Sequence, residues 1–312
     1  MCSSDLAGAG HVGTALAFAC LIRGTGKTIA LYGRNAEKVR AEVADLEHGL
    51  QFVPMASVAG SDDVEVCRDA DVLVLTAGAP YRPGQRRLDL AAAGVAICRD
   101  LLPRLLEVAP GAMVVIVTNP VDVATYAALQ ISGLPRHRVF GSGTVLDSSR
   151  LRSLIAGRCG VAVQNVHAYI AGEHGDSQIP LWTSATVGGV PLAHWEDAGR
   201  SPITAAETDG LRRQVAQAGY EVLRGKGYTN YSIALATARI IEAVLYDEHQ
   251  VLPVSSHLTS YAGISDVCLS VPAVVGRAGV LRVLPVPLSD GERESLQHSA
   301  RTVRAVIDEL GH

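Results

Sequence analysis

The 312-residue sequence predicts an α/β protein in two parts: a doubly wound parallel sheet over 1–142 and an α+β unit over 143–312. Three observations carry that expectation. Up to about residue 140, short apolar runs alternate with segments of helical period. A glycine-rich turn, Gly8-Ala9-Gly10-His11-Val12-Gly13, opens the first of those helical segments. Beyond Gly143 the alternation gives way to a stretch rich in Gly, His and Thr, then long helices and a strand-like run.

Thr28–Tyr32, Asp71–Thr76 and Met113–Thr118 are apolar and bounded by turn formers, as strands buried on both faces should be. Helical periodicity covers His11–Arg23, Ala36–Leu50, Leu88–Val108 and Val121–Ile131. The alternation predicts right-handed crossovers between parallel strands. Met1–Leu6 has no basic start and no apolar stretch, so it is not a signal peptide. It is also short and polar for the buried strand that must precede the glycine turn, and it reads as a replacement for a native apolar start. In the second part, Asp147–Arg158 has a helical pattern and Val163–Val190 a hairpin-like one. Thr204–Arg224 opens with a capping box, Thr204-x-x-Glu207, and Tyr231–Leu245 follows as a second helix. Val251–Val286 is strand-like with prolines at its joints, and Ser289–Leu310 closes as an amphipathic helix.

Composition excludes several classes of function. With 48% hydrophobic and 19% charged residues the chain can bury a large core. A net charge of -4 and no Lys/Arg block leave nucleic acid or an anionic membrane surface without an electrostatic footprint. No apolar run approaches the roughly 18 residues of a spanning helix. Cys2, Cys20, Cys67, Cys98, Cys159 and Cys268 are scattered with no CxxC pair. That usage fits a reducing, cytoplasmic setting and argues against a disulfide scaffold or a metal site.

The glycine turn fits G-x-G-x-x-G, the dinucleotide-binding signature of a Rossmann sheet. Gly8 allows the tight turn, Gly10 lets a pyrophosphate approach the backbone, and Gly13 lets helix pack on strand. The helix N-terminus then offers N–H groups to the anion. About 20 residues on, such sheets place an acidic residue on the ribose 2′-OH. Here the strand ends Leu31-Tyr32-Gly33-Arg34-Asn35. Gly33 leaves room and Arg34 can neutralise a 2′-phosphate, which tilts the choice between NAD and NADP toward NADP; alternatively, Arg34 only solvates a helix start.

Other segments have the residue types of a reaction centre. Gly172-Glu-His-Gly-Asp-Ser177 sets His174 in a polar, glycine-flanked loop. Asp147 and Arg150 lie three residues apart on one helix face, as a site or as a surface ion pair. Asn119 follows a predicted strand at its carboxyl end, where open α/β sheets bind ligands. Tyr81-Arg-Pro-Gly-Gln-Arg-Arg87 is a basic loop with a glycine hinge, either a lid or a solvated turn.

These residues resemble the lactate/malate dehydrogenase family, and its bacterial L-lactate dehydrogenase branch in particular. The resemblance runs from Gly8 to about Leu310. It rests on Thr76-Ala-Gly78, the Pro-Gly-x-x-Arg-Leu-Asp-Leu loop ending at Leu90, Asn119-Pro-Val-Asp122, and Gly141-Ser-Gly143 with Leu146-Asp147. It continues with Asn165-Val-His167, Gly172-Glu-His-Gly-Asp176, Lys226-Gly-Tyr-Thr229, and Asp266-Val267 with Val271-Pro272.

The resemblance implies that His174 carries the proton, that Asp147 orients it, and that Arg150 grips a substrate carboxylate. It implies that Arg87 polarises the keto group, that Asn119 bonds substrate or cofactor, and that Thr229 lines the pocket. Gly8, Gly10, Val12, Gly13, Ala77, Gly78 and Asn119 would contact the nicotinamide cofactor, NAD or NADP. Arg152 and His167 match positions that bind fructose 1,6-bisphosphate between subunits, which implies a homo-oligomer, tetramer or dimer. Each also has a plainer reading, as a helix-surface charge and a strand residue. Tyr81 stands where lactate enzymes carry Gln and malate enzymes Arg, which favours pyruvate or a larger 2-oxo acid over oxaloacetate. Malate dehydrogenase is the alternative enzyme, and a silent dinucleotide-binding scaffold the alternative outside enzymes.

Overall fold

The computed structural model describes residues 3–78, 87–196 and 203–311, with no account of the side chains of 3–7 and 87. Its first part runs β1 (Ser3–Ala7), α1 (His11–Arg23), β2 (Thr28–Tyr32), α2 (Ala36–His48), β3 (Ser57–Ser61), β4 (Val72–Leu75), α3 (Arg87–Val108), β5 (Met113–Ile116), α4 (Val121–Ser132) and β6 (Val139–Gly141). These six strands lie parallel in the order β3-β2-β1-β4-β5-β6, reversing direction of travel at β1. That is the Rossmann order, with its crevice outside the carboxyl ends of β1 and β4.

The opening segment was expected to make a poor strand, and the structure corrects this. Ser3–Ala7 pairs along its length with β2 on one side and β4 on the other. Two apolar flanking strands give its backbone partners on both edges, so pairing outweighs its polar composition. Two strands have no counterpart in the sequence reading. Ser57–Ser61 is a half-exposed edge strand without an apolar run, and Val139–Gly141 is only three residues long.

The second part runs α5 (Val145–Cys159), β7 (Val166–His167), β8 (Ile170–Ala171), β9 (Ile179–Pro180), β10 (Thr186–Val187), β11 (Val190–Pro191), α6 (Ala205–Lys226), α7 (Tyr231–Leu245), β12 (Gln250–Leu258), β13 (Val267–Gly276), β14 (Gly279–Val283) and α8 (Asp290–Glu309). The hairpin-like stretch is a three-stranded sheet, β11-β10-β7, with the β8–β9 pair beside it. The strand-like run becomes β12, β13 and β14, and Gly141 of β6 pairs with Ser255 of β12. One nine-stranded sheet therefore continues from the first part into the second. The capping boxes at Thr204–Glu207 and Ser289–Glu292 both form. No described helix is long and apolar enough to cross a membrane.

Helix α7 returns from the second part to pack on α1. Arg23 of α1 places Nε and Nη2 at 2.6 and 2.7 Å from the Glu242 carboxylate of α7, and Thr25 donates to the same group. Burial raises the Glu242 carboxyl, but the Arg23 hydrogen bond and charge outweigh it and hold it below its usual range. This packing sets the α6–α7 junction beside the glycine turn, where Tyr228 stacks on His11 at 3.9 Å between ring centroids.

The turn itself is fixed by close approach. Gly8 adopts φ 141°, donates from its amide to Tyr32, and accepts from the Thr76 hydroxyl. A Cβ on Gly13 would sit 1.8 Å from the Gly8 carbonyl oxygen, an impossible contact. Gly13→Ala should therefore force β1 and α1 apart and destabilise the fold by about 1–3 kcal/mol, as overpacking does. A thermal unfolding midpoint equal to that of the unmodified protein would show that the turn relaxes at no cost.

Candidate active site

Most residues singled out in the sequence gather at the carboxyl ends of the parallel strands. Gly8–Gly10 follow β1, Ala77 and Gly78 follow β4, and Asn119 follows β5 through a cis peptide to Pro120. Thr118 ties two of these ends together, donating its hydroxyl to the Ala77 carbonyl at 2.6 Å. Gly10 is the N-cap of α1 with no side-chain cap, and a Cβ built on it meets nothing within 4 Å. Uncapped amides above open space fit a pyrophosphate. Val12 is half-buried against the core below.

The structure revises the reading of Gly33. A Cβ there would lie 2.9 Å from both Ala9 Cβ and Val39 Cγ2. The glycine is demanded by packing between the turn and α2. Arg34 beside it is exposed, and Asn35 caps α2 by accepting from the Lys38 amide at 3.0 Å.

The second cluster centres on the turn between β8 and β9. His174 Nδ1 lies 2.6 Å from Asp147 Oδ2. A carboxylate only accepts, so Nδ1 holds the proton and Nε2 is the ring nitrogen left for a substrate. Arg150 Nη1 donates to the other Asp147 oxygen at 2.8 Å. Asp147 is 2% exposed and Arg150 20%, so this is no surface ion pair. On α6, a Cβ added to Gly219 would come within 3.9 Å of both terminal guanidinium nitrogens, so a glycine there leaves Arg150 uncovered on that side.

Local structure explains the alignment. Thr144, at the head of α5, donates its hydroxyl to the Ile170 carbonyl at 2.6 Å, and Ser148 accepts from the Ile170 amide at 2.8 Å. The first turn of α5, which carries Asp147, is thus locked to the strand that leads into His174. Gly172 pairs both ways with Ser270 of β13. Buried Glu173 accepts from the Ser177 hydroxyl, and its amide donates to Ser299.

Electrostatics follow from this geometry. The Asp147 charge, and then its hydrogen bond, raise His174 above its ordinary range against the effect of burial and of Arg150. Burial pushes the Asp147 carboxyl up, but His174 and Arg150 outweigh it, so Asp147 stays ionised. Asp122, in the Asn119-Pro-Val-Asp122 motif, was not singled out in the sequence, and the structure brings it to the His174 turn. Its Oδ2 accepts the His174 amide at 2.8 Å and its Oδ1 the Ser255 hydroxyl at 2.6 Å.

Thr229 is half-buried between α6 and α7, next to Tyr228 on the glycine turn. Arg152 donates to the Ala168 carbonyl at 2.8 Å and lies over the Tyr169 ring, which brings it to the strand that exposes His167. Tyr81 and the side chain of Arg87 lie outside the described residues, and Arg87 opens α3. No group of three or more His, Cys, Asp or Glu that could hold a metal occurs among the described residues.

A glycine turn with an uncapped helix N-terminus over open space, together with a histidine bonded to a buried carboxylate, suits a nicotinamide-dependent dehydrogenase. Comparison with known proteins agrees. A family model described as lactate/malate dehydrogenase, NAD binding domain, matches residues 5–141, and the corresponding alpha/beta C-terminal domain matches 144–312. The chain belongs to the lactate/malate dehydrogenase family. It is 51% identical over 307 residues to an L-lactate dehydrogenase of Bifidobacterium animalis subsp. lactis, covering 98% of this chain and 96% of that one. It is 44% identical to an L-lactate dehydrogenase of Gloeobacter violaceus, covering 97% and 92%, and 42% identical to one of Synechococcus sp., covering 98% of each.

The charge of Asp147 yields a pH prediction. If reduction of a keto group draws its proton from His174, the rate holds below the raised pKa and falls above it. Asp147→Asn removes the largest raising influence, so that falling limb should move to lower pH while kcat drops roughly 10²–10⁴-fold. A pH–rate profile with an unmoved limb would show that Asp147 does not set the protonation of His174.

Proposed function

We propose that the protein interconverts pyruvate and L-lactate, as an L-2-hydroxy-acid dehydrogenase using NAD. The single observation that carries this is the buried Asp147 carboxylate binding His174 on one oxygen and Arg150 on the other. A bound nicotinamide supplies the hydride for reduction and accepts it in oxidation. His174 does the rest of the proton chemistry. Its Nε2 proton passes to the keto oxygen as the hydroxy acid forms, and returns from the hydroxyl in the reverse direction. Asp147 holds the ring in the tautomer this needs and stabilises the imidazolium before transfer. Arg150 keeps one nitrogen on Asp147 and directs the rest of its fork to the substrate carboxylate. Arg87 polarises the carbonyl, Asn119 bonds the same oxygen or the cofactor, and Thr229 closes the pocket wall.

Gly8, Gly10, Val12, Gly13, Ala77, Gly78 and Asn119 receive the dinucleotide in this proposal. NAD is preferred to NADP because residues 5–141 match a family domain described as NAD binding, and the packing of Gly33 explains that glycine without a 2′-phosphate. Tyr81, in place of an arginine, favours pyruvate or a bulkier 2-oxo acid over oxaloacetate. We assign a dinucleotide unit to 1–142 and a substrate unit to 143–312, in a cytoplasmic homo-oligomer, tetramer or dimer. Arg152 and His167, on neighbouring elements, support a site for fructose 1,6-bisphosphate between subunits.

His174→Ala should abolish nearly all pyruvate reduction while leaving NADH binding intact. Near-normal turnover in that variant, or none of any 2-oxo acid by the unmodified protein, would end the proposal. A panel of pyruvate, larger 2-oxo acids and oxaloacetate, each with NADH and NADPH, tests specificity. Pyruvate with NADH should lead.

Fructose 1,6-bisphosphate should lower the KM for pyruvate, less so at high salt, because its contacts are ionic and screened. An effect that survives His167→Ala undiminished, or no effect at all, would show that Arg152 and His167 are structural.

A further inference from the structure

His174 is held by a second carboxylate. Asp122 stands in the first turn of α4, where the helix dipole favours a negative charge, and is 2% exposed. A carboxylate buried so deeply must be compensated by strong donors. Two such donors come from different elements: the His174 amide in the β8–β9 turn, at 2.8 Å, and the Ser255 hydroxyl on β12, at 2.6 Å. Asp147 fixes the imidazole ring through Nδ1, whereas Asp122 fixes the main chain that carries it. Residue 174 belongs to no strand or helix, so its amide needs such a partner.

We propose that Asp122 is a positioning residue for proton transfer, anchoring the His174 backbone to α4 and β12 and adding a second negative charge beside the imidazolium. This rests on the proton-carrying role assigned to His174 above. Among the described residues, the charged groups that act on His174 are Asp147 and Arg150 from α5 and Asp122 from α4. Asp147 favours the protonated ring most, Asp122 adds to it, and Arg150 and burial oppose them. From β13, Cys268 lies close to Asp122; burial first, then Asp122 and Asp266, push its thiol well above its usual range, so it stays neutral. Asp122 therefore acts on both the place and the charge of the histidine, and substitutions can separate the two.

Asp122→Asn keeps an oxygen for the His174 amide and an amide group for the Ser255 oxygen, but removes the charge. In the full-length protein, the His174 imidazole, followed by NMR through pH, should then titrate roughly half a pH unit lower. The falling limb of pyruvate reduction should move with it, and kcat should fall more above that limb than below it. Asp122→Glu restores the charge and disturbs the place, so it should lower kcat with the titration near its original pH. A purely structural Asp122 would lower the unfolding midpoint and leave the titration where it was, and that result overturns the proposal. If Asp122→Asn does not fold, Ser255→Ala decides: it leaves the charge and loosens the anchor, so kcat should fall a few-fold with the KM for NADH unchanged. Unmodified kcat in Ser255→Ala would overturn the anchoring role. The imidazole titration needs no turnover, so it judges Asp122 even if the unmodified protein proves unable to reduce pyruvate.

Discussion

The site depends on one buried contact, the 2.6 Å approach of His174 to Asp147. An ionised carboxylate at 2% exposure is stable only while its partners stay in place. Removing one partner from such a pair typically costs about 3–5 kcal/mol, enough to consume much of a domain's net stability. The surrounding structure accordingly holds the first turn of α5 against β8, and the His174 loop against β13 and α8. Those hydrogen bonds stabilise the fold, and they also set the place of the His174 ring against Asp147.

The glycine turn solves a different problem with the same economy of space. Gly8, Gly13 and Gly33 are all positions where a Cβ would meet backbone or neighbouring side chains at 2.9 Å or less. Only Gly10 faces open space. The motif thus contains one glycine consistent with ligand approach and others needed to seat α1 against the sheet. The Tyr228–His11 stack then connects this turn to the α6–α7 junction, where Thr229 follows Tyr228.

Sequence reading recovered the elements with strong periodicity. His11–Arg23 and Tyr231–Leu245 match the helices of the structure, and the capping box expected at Thr204-x-x-Glu207 forms. It missed Ser57–Ser61 and Val139–Gly141, whose lengths and composition carry little signal, and it undervalued Ser3–Ala7, whose strand form comes from its neighbours. The Asp147–Arg150 spacing was legible as a helix-face pair, but its burial was not. Asp122 could not be found by spacing at all, because its partner is 52 residues away and binds through the main chain. Gly33 was misread because empty space in a sequence is invisible until Ala9 and Val39 are placed.

The single pairing of Gly141 with Ser255 has a further consequence. The boundary between the two family matches, at 141–144, falls at the end of β6, inside the continuous sheet. A chain cut there would turn β6 into an edge, with Val139 and Phe140, both fully buried in the whole protein, beside unsatisfied backbone groups. Such an edge is a template for pairing with other chains. The two halves match separate family models, yet neither is insulated from aggregation without the other.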